Sequence, residues 1–245
     1  MPELFKVGGC VRDQILGIES KDIDFTFVVD NLNMSVEAGF ASMYKWMSDQ
    51  GFQIFLSTPD CFTIRAKFPK NDPNSGLVAD FVMARKEIGY MEGTRRPILA
   101  LGTLEDDLIR RDFTLNAMAV SEDGELIDLF GGRADLEKGL LRTPLPAKQT
   151  MMDDPLRIMR ALRFKITKGF SISDEIWLAM MQPEILDKLR TTVSAERIRE
   201  ELFKMMKADT VATLRLLNLV DSKSIPGFMD LVFGRGLWLK PTFEL

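Results

Sequence analysis

Two aspartates one residue apart, Asp22 and Asp24, open the apolar run Asp22-Ile-Asp-Phe-Thr-Phe-Val28. On a strand, side chains alternate between faces, so both carboxylates share one face while Ile23 and Phe25 turn toward a core. Two carboxylates on one exposed edge can hold two divalent ions, which activate an attacking oxygen and steady a leaving one in phosphoryl transfer. A third carboxylate, Asp80, interrupts the apolar stretch Val78-Ala-Asp-Phe-Val-Met-Ala84. A charge there needs a partner or a task. It can share the metals, take a proton from an attacking hydroxyl, or stand as a simple edge-strand charge.

Thirteen residues before Asp22 lies Gly9, within Val7-Gly8-Gly9-Cys10-Val11-Arg12-Asp13. Paired glycines between a strand and a helix let backbone N–H groups approach a phosphate, which the helix N-terminus favours. Arg12 can add a fork of donors. The segment Arg110-Arg111-Asp112-Phe-Thr-Leu-Asn116 follows the acidic stretch Glu105-Asp-Asp107. Its arginines suit a triphosphate, and Asp112 and Asn116 can hydrogen-bond ribose hydroxyls; as composition alone it is a charged helix start. In Asp153-Asp154-Pro155-Leu-Arg157, Asp154 and Arg157 stand at i, i+3 on an expected helix and present acceptors and donors together, as base reading requires. An ordinary salt bridge is the other reading of that pair. Pro155 suits a first helical turn and places Asp153 or Asp154 at the cap. Arg160 and Arg163 continue one and two turns on.

The elements that must position these groups change character along the chain. Runs at Leu4–Val7, Ile23–Val29, Phe52–Ser57, Phe62–Phe68 and Leu77–Ala84 read as strands, and the turn-forming stretch Pro69–Gly76 should join the last two as a hairpin. A helix is expected over Asn33–Gln50, with Val36, Phe40, Met43 and Met47 on one stripe and Gly51 as its stop. From about Asp153 the pattern is helical: Ile158, Leu162 and Ile166, then Ile198, Leu202 and Met205, then Leu214 and Leu217 with an end near Asp221. Thr143-Pro-Leu-Pro146 reads as the junction between the halves, and Ser224–Leu245 carries no assignable pattern. No internal repeat or low-complexity tract is present.

Composition narrows the chemistry. The 245 residues contain no histidine, which excludes His-based triads, His-ligated zinc and His general bases. Any metal must then rest on carboxylates, which favour hard ions such as Mg²⁺. The two cysteines, Cys10 and Cys61, form neither a disulfide framework nor a zinc spacing and read as reduced, core-type thiols. Residues 141–245 carry 17 Lys/Arg against 13 Asp/Glu, a net of +4; the first 140 carry 15 against 23, a net of −8. An acidic half beside a basic half suits a metal-and-nucleotide site joined to a nucleic-acid-binding part. No run is long enough to span a bilayer, and the chain enters a strand-like run at once, without room for a signal peptide. A cytoplasmic address is the expectation.

Taken in order, these motifs resemble the class II tRNA nucleotidyltransferase and poly(A) polymerase family. The resemblance rests on Gly8-Gly9-x-Val11-Arg12-Asp13, Asp22-x-Asp24, Arg110-Arg111-Asp112 and Asp153-Asp154-x-x-Arg157. To these are added Ala84-Arg-Lys-Glu87 through Gly102-Thr-Leu-Glu105, similar to the family's mobile loop and its return, and Val193-Ser194-Ala-Glu-Arg197-Ile-Arg-Glu-Glu201, similar to a helix start of its neck with Ser194 as N-cap. The match runs from residue 4 to about 220. It implies an α+β chain: a polymerase-β-like head, 1–142, with a small mixed sheet and helices, then an all-helical neck and truncated body, 143–245. Asp22 and Asp24 would bind Mg²⁺, with Asp80 as a further catalytic carboxylate. Gly8, Gly9, Arg12 and Arg111 would hold phosphates, and Asp112, with Asn116, the ribose. Asp154 and Arg157 would pair with the base of CTP or ATP, and Arg160 and Arg163 would complete the nucleotide site. The implied reaction is addition of CCA, or part of it, to tRNA 3′ ends with release of pyrophosphate. An A-only or C-only enzyme and a poly(A) polymerase are the alternatives, and a non-catalytic tRNA-end-binding module is the different class. The resemblance also departs from pattern: Asp153 stands where many bacterial members carry Glu, and most of the body and tail that grip tRNA is absent. An oligomer or a partner protein is therefore expected to supply grip.

Overall fold

The structure, a computed structural model, describes residues 1–20, 22–90 and 97–234. Two compact units emerge, Met1–Leu136 and a second from Glu137 onward.

The first unit is built on a seven-stranded mixed sheet. Its strands are β1 (Glu3–Val7), β2 (Asp24–Val28), β3 (Gln53–Thr58), β4 (Thr63–Lys67), β5 (Val78–Met83) and, beyond a separate antiparallel hairpin of β6 (Arg85–Tyr90) and β7 (Pro97–Leu101), β8 (Ala119–Val120) and β9 (Leu126–Ile127). Their spatial order is β3-β4-β5-β2-β1-β8-β9. The turn at 69–76 does join β4 to β5 as an antiparallel hairpin. The central pairing, β2 with β5, is parallel.

Alternation along the strands gives the sheet two chemically different faces. Phe25, Phe27, Ile64, Ala66, Phe81 and Met83 form one face, buried under helix α2 (Val36–Asp49) with its stripe of Val36, Phe40, Met43 and Met47. Ser35 caps this helix by accepting the Ala38 N–H. In this core the rings of Phe68 and Phe81 lie 5.4 Å apart, and each packs at 5.1–5.3 Å against both Phe25 and Phe52. Asp24, Thr26 and Asp80 belong to the opposite face. There lie α1 (Gly9–Ile15) and α3 (Leu104–Ile109), the latter opened by a reciprocal cap between Thr103 and Asp106. The segment resembling a mobile loop is, on either side of residues 91–96, the β6–β7 ladder; 91–96 themselves lie outside the described residues.

α4 (Gly132–Glu137) closes the first unit, and the second is mainly helical, with α5 (Ala147–Asp153), α6 (Arg157–Lys168), α7 (Asp174–Met180), α8 (Pro183–Thr192), α9 (Ala195–Ala208), α10 (Thr210–Lys223) and α11 (Phe228–Phe233). It is not all-helical as expected, because β10 (Leu140–Leu141) and β11 (Ser171–Ile172) pair as a short parallel ladder. Ile158 and Leu162 of α6 and Ile198, Leu202 and Met205 of α9 are buried, as their spacing predicts. On α10 the buried positions are Thr213, Leu216, Leu217 and Val220; Leu214 lies outside, because the helix is rotated toward the stripe that Thr213 and Leu217 share. Residues 235–245 of the unassigned tail lie outside the described residues. No described helix is long and apolar enough to cross a membrane.

Candidate active site

The sheet register brings the acids together. β2 begins at Asp24, which pairs with Val7 on one side and Asp80 on the other. Asp24 and Asp80 are therefore neighbours on the polar face, although 56 residues separate them in sequence. Asp22 precedes the strand and is exposed, so it sits beside the ladder rather than in it. Burial raises the Asp24 pKa, and the charges of Asp80 and Asp22 add to the rise against the opposing pull of Arg111 and Arg65. That is a repulsion a cation relieves. The donor set fits a hard divalent ion. Among the described residues no three His, Cys, Asp or Glu side chains form a ready-made cage. Mg²⁺ needs none, because one or two carboxylates suffice when water and substrate phosphates supply the remaining ligands.

Asp80 has a partner the sequence reading missed: Arg65, directly across the β4–β5 ladder, donates from Nη1 to Asp80 Oδ2 at 3.2 Å. Both side chains are partly exposed, so this pair is weak and exchangeable.

Gly8 links β1 to α1 with φ 81° and ψ −139°, a conformation essentially reserved for glycine. A methyl group there would lie 2.7 Å from Arg111 Nη1 and 3.9 Å from Asp24 Oδ2. Arg111 thus rests directly over the glycine turn, next to the carboxylates. Gly9 begins α1 with ordinary dihedrals. Arg12, buried, donates from Nη1 to Asn116 Oδ1 at 2.6 Å and forks onto Asp13. Asn116 Nδ2 in turn donates to Asp112 Oδ1 at 2.9 Å, which also accepts the Phe113 N–H. Arg12, Asp112 and Asn116 form one network, with Asn116 as its bridge.

The sequence reading also missed Asp107. It has no exposed surface and accepts from Thr26 Oγ1 at 2.8 Å, from Arg111 Nη2 at 2.8 Å and Nε at 3.2 Å, and from Arg110. Burial alone would raise its pKa, but Arg111, Arg110 and the hydrogen bonds from Arg111 and Thr26 outweigh it and hold the carboxyl at about 2.

In the helical unit the expected cap is displaced. Asp153 ends α5, and α6 starts only at Arg157 because Pro155 and Leu156 form a turn first. Asp154 sits in that turn with extended backbone and accepts the Leu156 N–H at 3.1 Å and Arg197 Nη2 at 3.1 Å. Arg157 Nη1 donates to the Thr150 carbonyl at 3.0 Å. Asp154 thus lies in the turn before α6 and Arg157 at the start of that helix, so the two do not stand on one helix face. Ser194 caps α9 as expected, accepting the Arg197 N–H. Arg160 and Arg163 converge on the buried Glu201 of α9; Arg163 donates to it directly and also lies 4.4 Å from the Phe164 ring. Of the cysteines, both free, Cys10 is buried and Cys61 is exposed, so only the first is a core-type thiol.

Residues 4–142 match the poly(A) polymerase head domain. The chain is 35% identical to the mitochondrial CCA tRNA nucleotidyltransferase of Saccharomyces cerevisiae over 83% of its own length and 38% of the relative's. Among solved structures it is similar to the Bacillus stearothermophilus CCA-adding enzyme in complex with CTP, at 26% identity and a TM-score of 0.69 over 93% of this chain and 50% of the other. A tRNA nucleotidyltransferase with a primer tRNA and an incoming ATP analog gives 28% identity and a TM-score of 0.67, covering 97% and 61%. The chain therefore spans only part of these relatives, from 38% to 61% of their length. With a head domain matched over more than half its residues and a relative above 30% identity across most of its length, the chain belongs to the tRNA nucleotidyltransferase and poly(A) polymerase family.

Proposed function

We propose that the chain is a template-independent tRNA nucleotidyltransferase that adds CCA, or part of it, to tRNA 3′ ends from CTP and ATP. The observation that carries this reading is the parallel register that sets Asp24 beside Asp80 under Arg111 at the Gly8 turn. Asp22 and Asp24 would hold Mg²⁺, which when bound lowers the charge on the reacting phosphate and on the departing pyrophosphate. The glycine turn and Arg111 hold phosphates where that charge develops. Asp80, exchanging Arg65 for another partner, would accept the proton of an attacking 3′-hydroxyl. Asp112, oriented by Asn116 and through it by Arg12, meets the ribose.

To the helical unit we assign base choice. Asp154 offers an acceptor steadied by Arg197, and Arg157 offers donors steadied by Thr150. Arg160 and Arg163, fixed by Glu201, complete that surface. A cytoplasmic site of action is part of the proposal; a mitochondrial relative shows that the family also works elsewhere.

The test supplies the purified chain and Mg²⁺ with tRNA lacking its last three, two or one nucleotides, and CTP, ATP or both. Stepwise addition of C, C and A that then stops is the expected result. Addition of A alone or C alone makes it a partial enzyme, and untemplated A tracts make it a poly(A) polymerase. Tight tRNA-end binding without any incorporation would overturn the catalytic reading in favour of a binding module.

A further inference from the structure

The Asp107 carboxylate is too deeply buried to touch a substrate, yet it gathers four donor atoms from three side chains. Its Oδ2 takes Thr26 from the sheet and two nitrogens of Arg111, while its Oδ1 takes Arg110. A guanidinium is planar and rigid, so fixing Nε and Nη2 fixes the direction of Nη1 as well. That third nitrogen is the one lying over Gly8, close enough to exclude even a methyl group. Thr26 stands two residues beyond Asp24 on the same face of β2, so the carboxylate is referenced to the strand that carries the acidic pair.

We propose that Asp107 is the positioning residue of the phosphate site: it clamps one edge of the Arg111 guanidinium to the sheet and so turns Nη1 onto the glycine turn beside Asp24. The inference rests on the reading of Arg111 as a phosphate-binding residue. Arg111 without the clamp keeps its charge but loses its direction, and a lysine-like flexible cation binds phosphate less well than a pre-aimed fork. Asp107 thereby acts only through Arg111, which separates it from a residue needed merely for folding.

The experiment is a double-mutant cycle on the full chain, read by calorimetric titration with inorganic tripolyphosphate and Mg²⁺, a probe without base or ribose. Asp107→Asn, which keeps shape and loses charge, weakens tripolyphosphate binding about tenfold, the scale of a charge-assisted hydrogen bond. In an Arg111→Met background the same change alters affinity by less than about twofold. Equal losses in both backgrounds, or no loss in either, overturn the inference. Should Asp107→Asn fail to fold, Thr26→Val removes only the tie to the sheet. It loses about threefold with Arg111 present and nothing without it, and equal losses again overturn the proposal. If Arg111→Met itself leaves tripolyphosphate affinity intact, the phosphate reading of Arg111 falls, and this inference with it. If Arg111→Met weakens binding while Asp107→Asn does not, the positioning role alone falls.

Discussion

Gly8 and Gly9 are adjacent, share one motif and make opposite predictions. Gly8 adopts φ 81° and ψ −139°, where a side chain costs about 1–3 kcal/mol. A methyl group there also meets Arg111 Nη1 at 2.7 Å, so either the guanidinium moves or the turn opens. Gly8→Ala is therefore expected to lower stability by about 1–3 kcal/mol, a fall in melting temperature of roughly 2–12 °C for a chain of this size. Gly9 has ordinary dihedrals at the first position of α1, and a methyl group would find Arg12 Nη2 no closer than 3.5 Å, an ordinary contact. Gly9→Ala should be neutral or stabilising by up to about 0.5 kcal/mol through reduced freedom of the unfolded chain. Both variants should bind CTP more weakly, Gly8→Ala through a displaced Arg111 and Gly9→Ala through a methyl group in the phosphate cradle. Thermal melts and CTP titrations of the two proteins side by side provide the check. Equal melting temperatures for both variants would refute the strain argument. A Gly8→Ala protein with wild-type CTP affinity would refute the placement of Arg111.

Three further outcomes are expected. Asp24→Asn removes a charge that burial and its acidic neighbours disfavour, so incorporation should fall on the order of 10³-fold while the melting temperature holds or rises; a marked drop in melting temperature would contradict the repulsion. Asp107 titrates at about 2 in the fold against 3.8 as its reference, so it stabilises above pH 4 and that stability, about 2 kcal/mol, disappears as pH falls toward 2. The stability gap between wild type and Asp107→Asn, measured by urea unfolding, should close over that window, and a gap unchanged down to pH 2 would count against the ion cluster. Arg157→Ala should erode discrimination of C and A against U by about tenfold or more while changing triphosphate affinity little, as competition assays between nucleotides can show.

Much of the site was legible because its signals are local. Alternation placed Asp24 opposite Phe25, the turn at 69–76 announced its hairpin, and Ser194 announced its helix. Arg65 was within reach too. Once Phe68 and Leu77 close that hairpin, antiparallel pairing carries Lys67 to Val78 and Arg65 to Asp80. The parallel neighbour of Asp24 was not readable from pairing rules, since parallel strands are joined by long crossovers that leave no mark at the strands themselves. Asp107 was hidden by its company. Glu105, Asp106 and Asp107 together look like acids soothing a helix N-terminus, and only the packing of α3 shows that one caps, one is exposed to solvent and one is a buried anchor. Its spacing of three and four residues from Arg110 and Arg111 was the available sign.

The same strands carry the site and compensate for it. A positive-φ turn at Gly8, just past the end of β1, and a crowd of carboxylates both work against folding; of the carboxylates, Asp24 and Asp80 stand on the polar face of β2 and β5. The opposite face of these strands and of β1 holds Leu4, Phe25, Phe27, Phe81 and Met83, all buried beneath α2. Each such side chain contributes about 1.5–3 kcal/mol when fully buried, so any two or three outweigh the strain at Gly8. Period-two alternation therefore permits unfavourable chemistry on one face because the other face is a core. A shift of β2 by one residue would bury Asp24 among phenylalanines and turn Phe25 and Phe27 to water. The apolar face thus fixes the register of the carboxylates, and substitutions such as Phe27→Ala should disturb Mg²⁺ response only to the extent that they loosen the sheet.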